Sequence, residues 1–268
     1  LRRLLLLAAF LVFLAGLQLF VFPERTADWF AWTIAPPMTA VFLGAAYWSS
    51  AVLEVAGARA ADWHRARVAV GSVLVFTTLT LVVTLVHLDR FHLGAEHPAG
   101  ARAITWGWLA IYLLVPVALS VVGVVELRRA RTGAGAAPGR RLPVPLRSLL
   151  LVLGVVLVGT GVVLLVAPDT ASTLWSWPLT PLTARAVGAW LVGLGWAAGH
   201  AGLIDDVLAV RPVGFTGVTF VVLQAVALAR YGEDLSSGPA AAAYGVGLAA
   251  IGVAAVWILA LGTARRGP

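Results

Sequence analysis

Ser148–Ala167 reads SLLLVLGVVLVGTGVVLLVA, roughly 20 residues without a charge, bounded by Arg147 and by Pro168-Asp169. About 20 apolar residues in helical form cross a hydrocarbon core about 30 Å thick. A segment inside that core has no water to satisfy its backbone, so it must be a helix or part of a closed barrel. The run does not alternate, which excludes a barrel strand and leaves a transmembrane helix.

Seven further blocks of this kind lie on either side: Leu4–Phe22, Met38–Ala56, Val68–Leu88, Ile104–Glu126, Ala184–Leu203, Val213–Arg230 and Pro239–Leu261. The 268 residues are 60% hydrophobic and 12% charged. A soluble domain carries about 25% charged residues, so too few polar side chains remain here to cover a water-facing surface. The expected fold class is all-α integral membrane, with eight transmembrane helices.

Cysteine is absent, which excludes disulfides, thiolate metal sites and cysteine nucleophiles. All 19 basic residues are arginine, so a retinal-type Schiff base on lysine is excluded as well. An arginine-only composition rich in Ala, Val and Gly suggests a high-GC bacterial genome. The net charge of +7 does not point to nucleic acid, because most of the excess sits in short segments between apolar blocks. Membrane lipids are the expected partners there.

With eight spans, the even-numbered loops share a side with both termini. That side carries Arg2, Arg3, Arg59, Arg65, Arg67, Arg128, Arg129, Arg131, Arg140, Arg141, Arg147, Arg211, Arg265 and Arg266. The other side has Arg25, Arg90, Arg102, Arg185 and Arg230, together with Glu24, Asp28, Asp89, Glu96, Asp169, Glu233 and Asp234. The positive-inside bias predicts a multi-pass protein of the bacterial inner membrane with both termini cytoplasmic. The first span is read as a membrane helix rather than a signal peptide, since no small-x-small cleavage site follows it near Pro23 and it has a counterpart within the chain.

That counterpart belongs to an internal repeat. Pro23-Glu24 matches Pro168-Asp169, Trp32 matches Trp177, and Pro36 matches Pro181. After a one-residue gap, Thr39-Ala40 matches Thr183-Ala184 and Gly44-Ala45 matches Gly188-Ala189. Asp62 then pairs with Asp206, Arg67 with Arg211, Phe76 with Phe220, Asp89 with Glu233, and His87 falls opposite Tyr231. Apolar helices mimic each other easily; ordered Pro, Trp and acidic residues outside them do not. The expected organisation is a first four-helix repeat over 1–127, an Arg/Gly/Pro-rich cytoplasmic linker over 128–147 and a second four-helix repeat over 148–268. Each half has an even number of spans, so the repeats are parallel and their pseudo-two-fold axis lies along the membrane normal.

Polar chemistry is sparse. Between the first and second spans of each half, proline followed by an acid can start a short interfacial helix. The tryptophans beside it act as belt anchors or, with Glu24 and Asp169, line a shared outer vestibule formed by Trp32 and Trp177. In span three, Thr77, Thr80, Thr84 and His87 recur on one helix face, with Asp89 following; Gln224 and Tyr231 hold the Thr80 and His87 positions in span seven. This face turns inward, either for packing or to line a binding path. His87, Asp89 and His92 are zinc-ligand types, but no H-E-x-x-H spacing is present, so no metal and no cofactor is expected. Glu54 and Glu126 lie near cytoplasmic ends and are expected to snorkel. Arg185 is expected to snorkel outward or pair with Asp169. Gly188, Gly195, Gly199 and Gly202 form a close-packing face, directed at the other half or at another subunit. No P-loop, G-x-S-x-G or dinucleotide motif occurs, so no enzymatic activity is expected.

The Trp32…Pro36-Pro37…Thr39-Ala40…Gly44 run and the Leu88-Asp89-Arg90-Phe91-His92 run resemble segments of uncharacterised multi-spanning membrane proteins of high-GC bacteria. The resemblance implies no activity, substrate or site. Tryptophan-rich sensory proteins share the aromatic and proline richness, but they have five spans and lack the duplication. The functional expectation is transport or binding of a small or lipid-like ligand at an outward-facing site between the repeats. The alternative is a non-catalytic subunit or scaffold among other membrane subunits.

Overall fold

Helix starts follow from capping chemistry rather than from hydropathy. In the computed structural model, which describes residues 1–132 and 139–263, Asp62 accepts the Arg65 N–H at 3.0 Å and caps a helix that begins at Trp63. Asp206 accepts from Leu208 and Ala209 at 2.9 and 3.4 Å and caps one that begins at Val207. These helices start several residues before the spans expected from Val68 and Val213. An apolar window opens only after the last arginine, whereas the helix opens at its cap. Pro212, expected to precede its span, lies inside the helix.

The described elements are α1 (Arg2–Val21), a 3-10 turn Pro23–Arg25 leading into α2 (Thr26–Trp29), α3 (Pro37–Ala58), α4 (Trp63–Val86) and a 3-10 turn Leu88–Arg90. Next come α5 (Ala99–Thr132), α6 (Val144–Val166), α7 (Pro168–Thr173), α8 (Pro181–Ile204), α9 (Val207–Tyr231), a 3-10 turn Gly232–Asp234 and α10 (Pro239–Thr263). No strand occurs among the described residues. The eight long helices are apolar enough to cross a membrane, so the protein is all-α with eight candidate membrane spans. The proline-acid sequences open the 3-10 turn before α2 and the short α7. The centre of the linker, residues 133–138 with Gly133, Gly135 and Pro138, lies outside the described residues, as do Arg265 and Arg266. Arg128 was expected to open an irregular segment; the helix instead continues to Thr132, because arginine is a good helix former. The far end of the linker is tied down, with the Leu142 N–H on Asp205 Oδ1 at 2.9 Å and the Val207 N–H on the Arg140 carbonyl at 2.9 Å.

α3 and α8 are the most buried spans and α10 the least. α3 packs between α1 and α9, α8 packs between α6 and α4, while α5 lies on α4 and α10 on α9. One buried cluster draws on both halves, from Phe20, Trp32 and Tyr47 to Trp177, Trp190 and Phe220. The cross-links between halves include a cap: the Met38 N–H in the first turn of α3 donates to Asp234 Oδ2 at 3.0 Å.

The glycine face of α8 meets α6, its neighbour in the same half, and neither the other half nor a second subunit. A Cβ on Gly188 would lie 2.7 Å from the Gly161 carbonyl oxygen, and one on Gly195 would lie 2.9 Å from that of Gly154. The spacing announces close approach but does not name the helix that approaches.

Candidate functional site

The hairpin after α7 turns two tryptophans in opposite senses. Trp177 is buried, and its indole N–H donates to Thr39 Oγ1 at 3.0 Å. Trp175 is half-buried, and its indole nitrogen is enclosed with no hydrogen-bond partner. Their rings, with Phe42 of α3 and Tyr244 of α10, stand 5.2 to 6.5 Å apart. Gln224 of α9 holds this arrangement from beneath. Its Nε2 donates to the Phe42 carbonyl at 3.3 Å and its Oε1 accepts the Tyr244 hydroxyl at 2.8 Å.

Beside this aromatic wall is a cavity of about 230 Å³ enclosed by α6, α8, α9 and α10. Its rim residues Val156, Thr160 and Leu174 are exposed, so it opens sideways between α6 and α10. A smaller cavity of about 60 Å³ continues it toward the Arg147 end of α6, sharing Leu157, Leu194, Phe220 and Ile251. The crevice is lined mostly by apolar side chains, with Thr160, Trp175 and Ser176 among its polar-bearing residues, and the Trp175 indole nitrogen is buried without a partner. No family model, curated protein or solved structure matches the chain. The functional reading rests on this geometry.

The residues expected from sequence are not gathered into one vestibule. Trp32 lies in a separate aromatic cluster with Phe30, Phe91 and Trp108, at 4.9, 5.2 and 4.9 Å. Both Trp32 and Trp177 are core residues. Glu24 is exposed and accepts the Tyr231 hydroxyl at 3.2 Å, next to Arg230, which donates to the Phe20 carbonyl. Asp169 is exposed in the first turn of α7, and Asp89 pairs with Arg90 at 3.1 Å. Thr77 and Thr84 donate to carbonyls of their own helix at 2.7 and 2.8 Å, which is the packing role. Thr84 also accepts the Trp108 N–H at 3.0 Å, while Thr80 Oγ1 is buried without a partner. Of the expected set, Trp177 and Gln224 support the cavity wall.

Arg185 makes no ion pair with Asp169 among the described residues and is half-buried. It donates from Nε to the Leu165 carbonyl at 3.0 Å and from Nη1 to His87 Nε2 at 2.7 Å. Guanidinium only donates, so His87 Nε2 accepts and its proton sits on Nδ1. Burial and then the Arg185 charge lower the His87 pKa. His92 is lowered too, chiefly by burial, with Nδ1 on the Phe30 carbonyl at 2.8 Å. The sign follows from linkage: below about pH 6.5 the unfolded chain takes up protons that the folded chain resists. Stability is therefore lost as pH falls through that value. Thermal unfolding in detergent is expected at lower temperature near pH 5 than near pH 7.5, and His87→Gln, which keeps an acceptor for Arg185, should flatten part of that acid slope. Equal slopes for the two proteins would remove His87 as a cause.

Sequence reasoning missed Glu54. It does not snorkel: it is 1% exposed, accepts from Ser50 Oγ at 3.0 Å, and leaves its second carboxylate oxygen unpartnered. The hydroxyls of Tyr47 and Tyr112 meet nearby at 2.7 Å. The signal available was the spacing of Tyr47, Ser50 and Glu54, which places all three on one face of α3.

Proposed function

We propose that the protein is a multi-pass inner-membrane protein that binds a lipid-like molecule in the crevice between α6, α8, α9 and α10. An acceptor oxygen of the head region would bond the Trp175 N–H, and the hydrocarbon would run along Leu157, Leu194, Phe220 and Ile251. The observation that carries this reading is a buried, unpartnered indole nitrogen on a tryptophan that lines a largely apolar cavity. Binding sites combine apolar walls with a few placed polar groups, and the lateral opening suits a ligand arriving from the bilayer rather than from water.

The arginine asymmetry supports cytoplasmic termini, which puts Trp175 at the outer leaflet. A parallel repeat is supported by matching parts: Asp62 and Asp206 are both caps, and Pro37 and Pro181, Trp63 and Val207, and Leu88 and Gly232 begin equivalent elements at one constant offset. The pairings α1 with α3 and α6 with α8, and α3 with α9 and α8 with α4, interchange under the same relation. This supports an axis along the membrane normal. The ligand site is then unlike in the two halves: Trp32, Tyr47 and Trp108 fill the first, and the second is open.

Gly247 lines the cavity, and a Cβ there meets nothing within 4 Å. Gly247→Phe is therefore expected to fill the space without disturbing the fold. A photoreactive phospholipid in nanodiscs should label the 174–176 and 240–251 segments of the wild type, and labelling should be lost in Gly247→Phe at unchanged melting temperature. Equal labelling of both proteins would sink the proposal.

A further inference from the structure

The α3–α4–α5–α8 interface holds a second feature that the crevice does not use. Glu54 is the innermost polar group of a buried column. Seven residues separate it from Tyr47, about 10.5 Å along the axis of α3, with Ser50 between them on the same face. Side chains lean toward the helix N-terminus, so Glu54 reaches back to Ser50, and Tyr47 reaches onward to Tyr112. Beyond the tyrosine pair is a cavity of about 10 Å³ lined by Tyr47, Thr80, Thr84, Trp108 and Trp32. Two of its polar atoms, Trp32 Nε1 and Thr80 Oγ1, are buried and unpartnered. About one water fits a space of 10 to 15 Å³. A water there would accept from Trp32, bond Thr80 and reach Tyr47.

Nothing at this depth neutralises a carboxylate. The charged and titratable groups near the Glu54 end are Arg2 and Arg3 of α1, Arg59 after α3, Asp62, His64, Arg65 and Arg67 at the start of α4, Glu126 of α5, His200 of α8 and Arg211 of α9. Among the described residues none of them makes an ion pair with Glu54. Tyr47 and Tyr112 are the titratable groups that feel its charge. A carboxylate with one hydroxyl partner and no cation is costly in the interior of a membrane protein, and such groups mark proton or ion pathways. One turn further toward the end of α3, Gly57 and Ala58 line a polar pocket of about 380 Å³ with Arg2, Arg59 and Glu126. That pocket lies about one helical turn from Glu54, on the side where the proposed column would meet water.

We propose that Glu54 is a proton-binding site, and that Ser50, the Tyr47–Tyr112 pair and one water held by Trp32 and Thr80 relay its proton along this interface. Each transfer breaks one O–H bond and forms one on the next oxygen. The carboxylic acid gives up its proton as the neighbouring hydroxyl passes on its own, so only a proton moves and no redox partner is needed. Ser50 and Tyr47 are one turn apart on α3, about 4.5 Å along the axis, and the proposed relay includes further water between Ser50 Oγ and the Tyr47 hydroxyl.

The test is proton flux into vesicles reconstituted with the full chain, read by an enclosed pH dye under a potassium-valinomycin potential. Wild-type vesicles should acidify faster than protein-free ones. Glu54→Gln and Tyr47→Phe, which preserve volume, should return the rate to that of empty vesicles, and Glu96→Gln, on an exposed loop outside this interface, should match the wild type. Infrared difference spectra in water and heavy water should contain a carboxylic-acid carbonyl band that Glu54→Gln removes. Wild-type flux no faster than empty vesicles, wild-type flux retained in Glu54→Gln, or no such band would each overturn the proposal.

Discussion

Gly161→Leu is expected to abolish stable folding, while Gly159→Leu, two residues away on the same helix, should leave the melting temperature almost unchanged. A Cβ at Gly161 would lie 2.6 Å from the Gly188 carbonyl oxygen and 2.9 Å from the Val192 backbone nitrogen. Both obstacles are main chain, which no rotamer change moves aside. A Cβ at Gly159 meets nothing within 4 Å. Helices in lipid gain little from hiding apolar surface, since lipid tails are equally apolar. Their association depends on close packing, which small residues permit. Leucine at 161 must push α6 away from α8 along the whole seam that includes Gly154, Gly188 and Gly195. Overpacking costs about 1–3 kcal/mol where side chains can yield, and backbone obstruction places this case at or above that range. Monodisperse yield and melting temperature in mild detergent read the effect. Equal stability of the two variants would show that the seam is not a determinant of the fold.

The contrast between these two glycines also shows what one chain's sequence can carry. Apolar blocks bounded by arginine give the eight spans, because hydrocarbon thickness fixes their length. Proline followed by acid places the 3-10 turn that leads into α2 and the start of α7, because both residues favour a helix N-terminus. The aspartates matched between the halves, Asp62 and Asp206, sit where two helices start. Facing and partnership are another matter. Glycine spacing on α8 signals close approach yet leaves the neighbour open, since α6 and any other apolar helix satisfy the same pattern. Glu54 reads as a terminal residue when depth is counted along α3, but its solvation depends on the helices packed around α3, which no local window contains. Trp32 and Trp177 read as interfacial anchors because they stand near proline-rich loops. Burial comes from Phe30, Phe91 and Trp108 in one case and Phe42, Thr39 and Tyr244 in the other, all remote or unmarked in sequence. The free donor of Trp175 was legible only as one more tryptophan in a cassette.

Trp175 and Trp177 should therefore respond oppositely to substitution. Trp177 is 1% exposed, packs on Phe42 at 5.6 Å and Tyr244 at 5.3 Å, and donates to Thr39 in the first turn of α3. Trp177→Ala empties a large volume where both halves meet, and a truncation of this kind costs about 3–5 kcal/mol. It also strips Thr39 of its donor. The expected result is a melting temperature lowered by many degrees or no recoverable protein. Trp175→Phe keeps an aromatic wall and deletes an N–H that has no partner among the described residues, so the melting temperature should hold. What it removes is the donor proposed for a ligand head region. Retention of phospholipid through detergent washing, measured by native mass spectrometry, should then fall severalfold in Trp175→Phe, since a hydrogen bond contributes about 0.5–1.5 kcal/mol. If lipid retention in Trp175→Phe equals that of the wild type, the indole is only a wall and the ligand reading loses its polar anchor. If Trp177→Ala is as stable as the wild type, the two halves do not depend on that contact to hold together.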